Sequence, residues 1–293
     1  MNVLVTGGAG YIGGAVARVL RAAGHAVVLV DDLSTGHRDT AEGFDLLCCD
    51  FADAALVGPA LNERRIEAIV HMAAHCLVGE SMQRPAYYYE NNVVRSLKLL
   101  DLAVGAGVKR WVFSSSAATY GEPERTPIDE DHPTRPTNPY GETKLVFERA
   151  LGWHALAHGF AAVSLRYFNA AGALPGHGER HDPESHLVPN ILAAAETGKP
   201  IEVFGTDYPT PDGTAVRDYI HIADLAEAHR LALDAATGPG RARAFNLGNG
   251  DGFSVRAVIA AAEAVVGRAI PYAAGPRREG DPPVLVARST RAT

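Results

Sequence analysis

Short apolar runs at residues 3–5, 27–30, 46–48, 68–71, 111–113 and 162–165 are rich in β-branched or aromatic side chains. Brief runs of this kind, without polar alternation, are the pattern of parallel strands covered on both faces. Between them the spacing turns helical. The clearest stretch is 87–104, where Val93, Val94, Leu97, Leu100 and Val104 recur at three- and four-residue steps and mark one apolar face. Strand and helix in alternation predict an α/β fold with a doubly wound parallel sheet. From Gly172 the texture changes: Gly, Pro and His gather in 172–189, and a second Pro/Gly/Asp-rich loop covers 208–213. Such loops serve as binding surfaces. The expected organisation is a first domain over 1–168, with 217–246 returning to it, and a smaller C-terminal lobe from 169–216 and 247–293.

Composition narrows the class without changing this picture. The chain has 293 residues, 47% hydrophobic and 21% charged, and no apolar run long enough to span a bilayer, so a globular protein of the cytoplasm is expected, with no membrane partner. Residues 1–6 read as a strand and lack the order of a secretory signal. Cys48, Cys49 and Cys76 offer neither a disulfide framework nor paired thiolate metal ligands, so reduced thiols and no metal are expected. Net charge is −7 with no clustered basic face, which disfavours nucleic acid as a partner. Phosphate recognition must then be local.

Two constellations supply it and the chemistry. Gly7, Gly10 and Gly13, with Tyr11 and Ile12 between them, follow the first strand and open a helix. A glycine turn there lets backbone approach a pyrophosphate, and the helix N-terminus offers free amides to the anion. The next strand ends in Asp31 and Asp32. A carboxylate at that place accepts from a ribose 2′-hydroxyl and repels a 2′-phosphate, which favours NAD over NADP. Asp50 and Phe51 close another strand and are candidates for the adenine end. Ser116 follows the strand at 111–113, while Ser114 and Ser115 beside it read as turn serines serving the backbone. In Tyr140-Gly-Glu-Thr-Lys144, phenol and ammonium stand four apart and share one helix face. A cation there favours phenolate, so Tyr140 is a candidate general base, with Ser116 relaying the proton.

Further motifs carry a resemblance. They are GGAGYIGG (7–14), VGES (78–81), NNV (91–93), SSSAATYGEP (114–123), NPYGETK (138–144), RYFNAAGA (166–173), FGTDYPTPDGTAVRDYIH (204–221), NLGNG (246–250) and PRREGD (276–281). On these the chain resembles the extended short-chain dehydrogenase/reductases, and within them the UDP-glucose (UDP-galactose) 4-epimerases. The resemblance implies a Rossmann-type sheet with a substrate lobe, resident NAD, a UDP-sugar substrate and a homodimer paired through 87–104 and 140–158. It also implies roles. Tyr140 takes the proton from the sugar 4-hydroxyl with help from Ser116, carbon 4 lends its hydride to NAD, and the 4-keto sugar turns over and takes it back. Lys144 holds the nicotinamide ribose and lowers the Tyr140 pKa, and Asn91 helps hold the cofactor. Asn169, Arg217, Arg278 and Asp281 match positions that grip UDP, together with backbone near Phe204 and Tyr219.

Without the resemblance, Arg217 and Asp218 read as a surface ion pair and 277–281 as a solvated charge run. The chain also departs from its relatives. His75 and Cys76 stand where many carry a lysine, and His75 reads as a buried, satisfied histidine. His186 and Leu187 stand where an asparagine is common, as candidate uracil or ribose contacts. Leu285 replaces a tyrosine beside the sugar, which leaves epimerases of N-acetylated hexosamines, glucuronate or pentoses as alternatives. Ala117 and Ala118 replace the Asp-Glu pair that a dehydratase needs, and a catalytically silent NAD-binding regulator is the alternative outside enzymes. The chain stops at Thr293, short of its relatives, and a less stable substrate lobe is the expectation.

Overall fold

The structure is a computed structural model that describes residues 1–278 and 281–292. Its strands are β1 (Asn2–Thr6), β2 (Ala26–Val30), β3 (Asp45–Leu47), β4 (Ala68–His71), β5 (Arg110–Ser116), β6 (Ala161–Tyr167), β7 (Asn169–Ala171), β8 (Ile201–Phe204), β9 (Val216–Arg217), β10 (Tyr219–His221), β11 (Ala242–Leu247), β12 (Phe253–Ser254), β13 (Tyr272–Gly275) and β14 (Val284–Leu285). Its α-helices are α1 (Tyr11–Ala22), α2 (Ala54–Glu63), α3 (Val78–Gln83), α4 (Pro85–Tyr89), α5 (Ser96–Gly105), α6 (Pro139–His158), α7 (Leu187–Thr197), α8 (Ile222–Ala235) and α9 (Val255–Val266).

Seven strands form one parallel sheet in the order β3-β2-β1-β4-β5-β6-β11. Both of its faces are covered. Val3 and Val5 of β1 pack with Val16 and Leu20 of α1 and Leu225 and Leu233 of α8, whereas Leu4 between them packs with Leu61 of α2, Leu99 of α5 and Phe147 of α6. That two-sided burial is why the strand sequences are continuously apolar. The order of connection reverses between β1 and β4, so their carboxyl ends part and leave a crevice above the sheet. β5 runs on to Ser116, so Ser114 and Ser115 are strand residues, not the turn serines expected; Ser115 Oγ donates to Glu148.

The helix expected over 87–104 is broken into three parts. Between α4 and α5 the backbone widens into a π-helical turn, Glu90–Arg95. The widened turn buries Asn91 and Asn92, and the Asn92 side chain accepts from the His75 amide (2.9 Å) and donates to the His75 carbonyl (3.0 Å). Local widening of this kind trades regular helix for a polar contact, a frequent arrangement at functional sites.

The second lobe is built on short pairings. β7 pairs with β10, β8 with β13, and β9 lies between β12 and β14. Its small core joins Ile191 and Ala194 of α7, Val203 of β8, Ile259 of α9 and Ile270. Residues after β13 return toward the sheet: Ile128 donates its amide to Val286 O (2.8 Å), and Arg288 donates to Ile128 O (2.7 Å).

The imidazoles of His71 and His229 are sealed in the protein. His71 closes β4, with Nδ1 2.7 Å from Thr6 Oγ1 and Nε2 2.8 Å from Ser96 Oγ, and His229 sits 2.9 Å from the Tyr167 hydroxyl. Burial, aided by the Lys144 charge, holds His71 down at about 3, and burial holds His229 at about 4. Both values lie below the ordinary ~6.5 of an unfolded histidine, so their contribution to stability is complete above that pH and is lost as pH falls through the window toward 4. Urea denaturation at pH 7.5 and 5.5 is expected to show a loss of about 1 kcal/mol for each histidine. An unchanged stability between these pH values would contradict the neutral, buried assignment.

Candidate active site

The turn after β1 leaves no room for a side chain at Gly7 or Gly13. Gly7 has φ +66°, and a Cβ there would lie 2.8 Å from the Ala73 amide; at Gly13 it would lie 2.0 Å from Gly7 O. Gly10 differs, since a Cβ would meet protein only at Gly7 O, 3.3 Å away, leaving the outer side of the turn free. No side chain caps α1, so the amides of its first turn, Tyr11 and Ile12 among them, face the crevice end without a side-chain partner. The Tyr11 side chain has another task. Its hydroxyl donates to Gly172 O (2.7 Å), while its carbonyl lies 2.6 Å from His177 Nε2, which ties the turn to the second lobe.

Asp31 and Asp32 part company. Asp31 is buried and accepts from Ala9 N and Leu33 N, each at 2.9 Å, and burial raises its carboxyl above the usual range. Asp32 is exposed and accepts from Ser34 N. Asp50 turns to Arg95 (3.0 Å) and to the Ala52 amide, while Phe51 packs edge-on against His71. The open side of Gly10, the uncapped helix end and the Asp31 carboxylate fit a dinucleotide: amides for the pyrophosphate and an acceptor for a ribose hydroxyl.

Ser116, Tyr140 and Lys144 meet at the carboxyl edge of β5. Asn138 caps α6 by accepting from Gly141 N (2.8 Å), and Pro139 opens it, which places Tyr140 in the first turn and Lys144 one turn deeper. Lys144 is buried; its Nζ donates to Ser114 O (2.6 Å) and lies 4.9 Å from the centre of the Phe113 ring and 5.8 Å from that of Tyr140. Burial pushes the Tyr140 phenol above its ordinary range, the Cys76 thiol adds to the rise, and a hydrogen bond with Ser116 opposes it. Burial also lowers Lys144 to about 8. In the protein alone burial dominates, and the phenol is held above its ordinary range rather than lowered. Asn91 donates to Asn92 Oδ1 (3.0 Å), and Asn92 in turn reaches Thr143 Oγ1 on α6 (3.2 Å). His75 is half-buried and stacks on Tyr87 at 4.1 Å.

The second lobe brings its polar residues together differently from the plain reading of the sequence. Arg217 pairs with Asp281, 64 residues further on, and not with its neighbour Asp218. Asp218 is fully buried and accepts from Asn249 N (2.6 Å), Gly250 N (2.9 Å) and Ala287 N (2.9 Å). The 277–281 stretch is not simply a solvated charge run: Arg277 pairs with Asp207 (2.8 Å), and the Arg278 guanidinium lies 4.0 Å from the centre of the Phe204 ring. Glu279 and Gly280 of that stretch, and Thr293, lie outside the described residues. Asn169 pairs in register with Tyr219, whose phenol burial pushes up to about 12. Leu285 stands opposite Arg217 in β14 and packs with Ala117, Tyr120 and Ile128, beside Ser116.

His186 and Leu187 stand at the start of α7. Burial would raise the nearby Glu179 carboxyl, but a hydrogen bond from His181 and the close His186 imidazole hold it at about 2. Sequence reasoning missed Asn92, Asp218 and the buried pair Arg166–Glu148, which joins β6 to α6. For Asn92, Asp218 and Arg166 the signal was only a polar residue inside an otherwise recognisable motif, and Glu148 stands outside every motif.

A sheet that reverses its order over a glycine turn, with serine, tyrosine and buried lysine at that crevice, defines an NAD-dependent enzyme of the short-chain dehydrogenase/reductase type. Residues 3–248 match the model of the NAD dependent epimerase/dehydratase family, and the chain belongs to that family. It is 50% identical to a UDP-glucose 4-epimerase of Corynebacterium glutamicum over 100% of this chain and 88% of that relative. Among solved structures it resembles UDP-glucose 4-epimerase from Brucella ovis in complex with NAD, with TM-score 0.95 and 45% identity, covering 99% of this chain and 90% of that one. The Bifidobacterium longum enzyme in complex with NAD+ and UDP gives TM-score 0.94 at 38% identity, covering 100% and 91%.

Proposed function

We propose that the chain interconverts UDP-glucose and UDP-galactose by inverting carbon 4 through a transient 4-keto sugar. The observation that carries this is the Ser116, Tyr140 and Lys144 cluster, set at the crevice of a chain that matches UDP-glucose 4-epimerases along its whole length. Bound NAD supplies a reversible hydride acceptor. Gly7, Gly10 and Gly13 shape the cradle for its pyrophosphate, Asp31 binds the adenosine ribose, and Asn91 and Lys144 hold the nicotinamide end. Tyr140 removes the proton from the 4-hydroxyl and later returns it, with Ser116 as the relay. The hydrogen bond with Ser116 opposes the desolvation that raises the phenol, and the positive charge of Lys144 and of oxidised NAD favours the phenolate.

In this reading residues 169–216 and 247–292 form the substrate lobe. Arg217 and Arg278 neutralise the diphosphate, Asp281 accepts from ribose hydroxyls, and Asn169, Phe204, Tyr219, His186 and Leu187 frame the nucleotide. Holding the nucleotide and leaving the hexose loose lets the ketone present both faces. Ala117 and Ala118 provide no acid to expel a 6-hydroxyl, which argues against dehydration.

The test is incubation of purified protein with UDP-galactose while UDP-glucose is followed, with UDP-N-acetylgalactosamine and UDP-glucuronate in parallel. Conversion of the first is expected; conversion of none would overturn the proposal. Tyr87, Tyr89, Val94, Trp153 and Leu156 are exposed on α4, the π turn and α6, an apolar surface that suits a homodimer. Light scattering giving the mass of one chain would refute that. No helix among the described residues is long and apolar enough to cross a membrane, and a cytoplasmic location is part of the proposal. Fractionation that recovers the protein with membranes would contradict it.

A further inference from the structure

We propose that Glu179, His181, Glu184 and His186 form a binding site for a divalent cation of the zinc class, at the junction of the 172–186 loop and α7. Two imidazoles and two carboxylates from one eight-residue stretch place their nearest donor atoms within 4.8 Å of one another. Glu179 Oε1 lies 2.9 Å from His181 Nδ1 and 2.6 Å from His186 Nδ1, and Glu184 Oε1 lies 3.2 Å from His186 Nδ1. A tetrahedral ion bound at roughly 2.0–2.1 Å sets its ligand atoms about 3.3 Å apart, so these donors need shifts of only about an ångström or so.

The histidine gives a separate reason. His186 Nδ1 is shielded from water and makes no hydrogen bond of good angle, although it faces two carboxylates. A bare nitrogen lone pair against a carboxylate oxygen repels it, so positive charge is required between them. A proton held off-line supplies it poorly, and a metal ion supplies it well.

The surroundings favour capture of an ion. Glu184 is pinned by accepting from Ser185 N (2.7 Å) and His186 N (2.8 Å). Glu179 is almost covered, at 8% side-chain exposure, whereas His186 is 43% exposed and leaves an entrance. Mixed imidazole and carboxylate ligands suit zinc or its neighbours better than calcium or magnesium, which take oxygen alone. Cysteine spacing carried no sign of this, because the ligands are histidines and carboxylates. The stretch follows the segment that Tyr11 holds at Gly172 and His177 and leads directly into α7, so an occupied site would fasten the second lobe beside the cofactor turn.

Tag-free protein treated with EDTA and desalted is to be titrated with ZnCl2 against a chromophoric chelator, with melting temperature read in parallel. One equivalent bound at micromolar or tighter affinity, with a rise in melting temperature, is expected. His181→Ala should weaken binding at least tenfold, while His158→Ala on the far end of α6 should not. If His181→Ala fails to fold, Glu184→Gln serves, with the same loss expected. No binding below about 100 µM, or binding equally unaffected by the loop variant, overturns the proposal. Neither readout uses turnover, so failure here is distinct from failure of the epimerase reading.

Discussion

Tyr140→Phe is expected to keep NAD bound and to lower conversion of UDP-galactose about 10²- to 10⁴-fold, the range for loss of a positioned acid-base group. The substitution removes one oxygen from a helix turn whose cap, Asn138 on Gly141, is untouched, so the site should keep its shape. Ser116 remains but has lost the group it hands the proton to. The check is kcat beside the NAD content of the purified variant, measured by absorbance after denaturation. A variant with full NAD and near-normal kcat would refute the assignment of Tyr140 as base. One that loses NAD as well would assign the ring to cofactor binding.

The largest expected effect on stability comes from Asp218→Ala. The buried Ala287 amide and the part-buried amides of Asn249 and Gly250 would lose their acceptor together. A buried donor left unpaired costs about 1–3 kcal/mol and a partly solvated one less, so a loss of about 2–3 kcal/mol is expected. In melting temperature that is a fall of roughly 3–5 °C for a chain of this size. Asp218→Asn keeps the shape and one oxygen, and should lose about half as much. Because the Asp218 carboxylate also holds the Ala287 amide just after β14, UDP affinity should fall with stability. Scanning calorimetry and titration with UDP would measure both; a stability change below about 1 kcal/mol would sink the anchoring role.

Much of the sheet was legible because its strands are buried on both sides and therefore carry unbroken apolar runs. The glycine turn was legible for a related reason. At Gly7 and Gly13 the backbone itself excludes a Cβ, so the constraint is written directly in residue identity. The π turn could not be read from the periodicity of 87–104, since Val93, Leu97 and Leu100 keep a helical rhythm while Asn92 answers to His75 and Thr143, and Asn91 to Asn92. Arg217 and Asp218 misled for the opposite reason. Adjacent opposite charges suggest each other, yet in an extended strand neighbours point to opposite faces, and each found its partner from a different part of the chain. Ser115 looked like a turn residue because its acceptor, Glu148, lies 33 positions away. What sequence conveyed well was constraint within a few residues, and what it conveyed poorly was polar pairing across tens.

The pairing of Arg217 with Asp281, and of β9 with β14, has a consequence for the order in which a nascent chain becomes competent. At 5–20 residues per second, the 64 residues between Arg217 and Asp281 take roughly 3–13 s to synthesise. Throughout that interval the glycine turn and strands β1 to β6 are already made, so the proposed dinucleotide cradle can take shape while the proposed nucleotide grip is still half missing. The emerging protein would thus be able to acquire its cofactor before it could retain a sugar nucleotide.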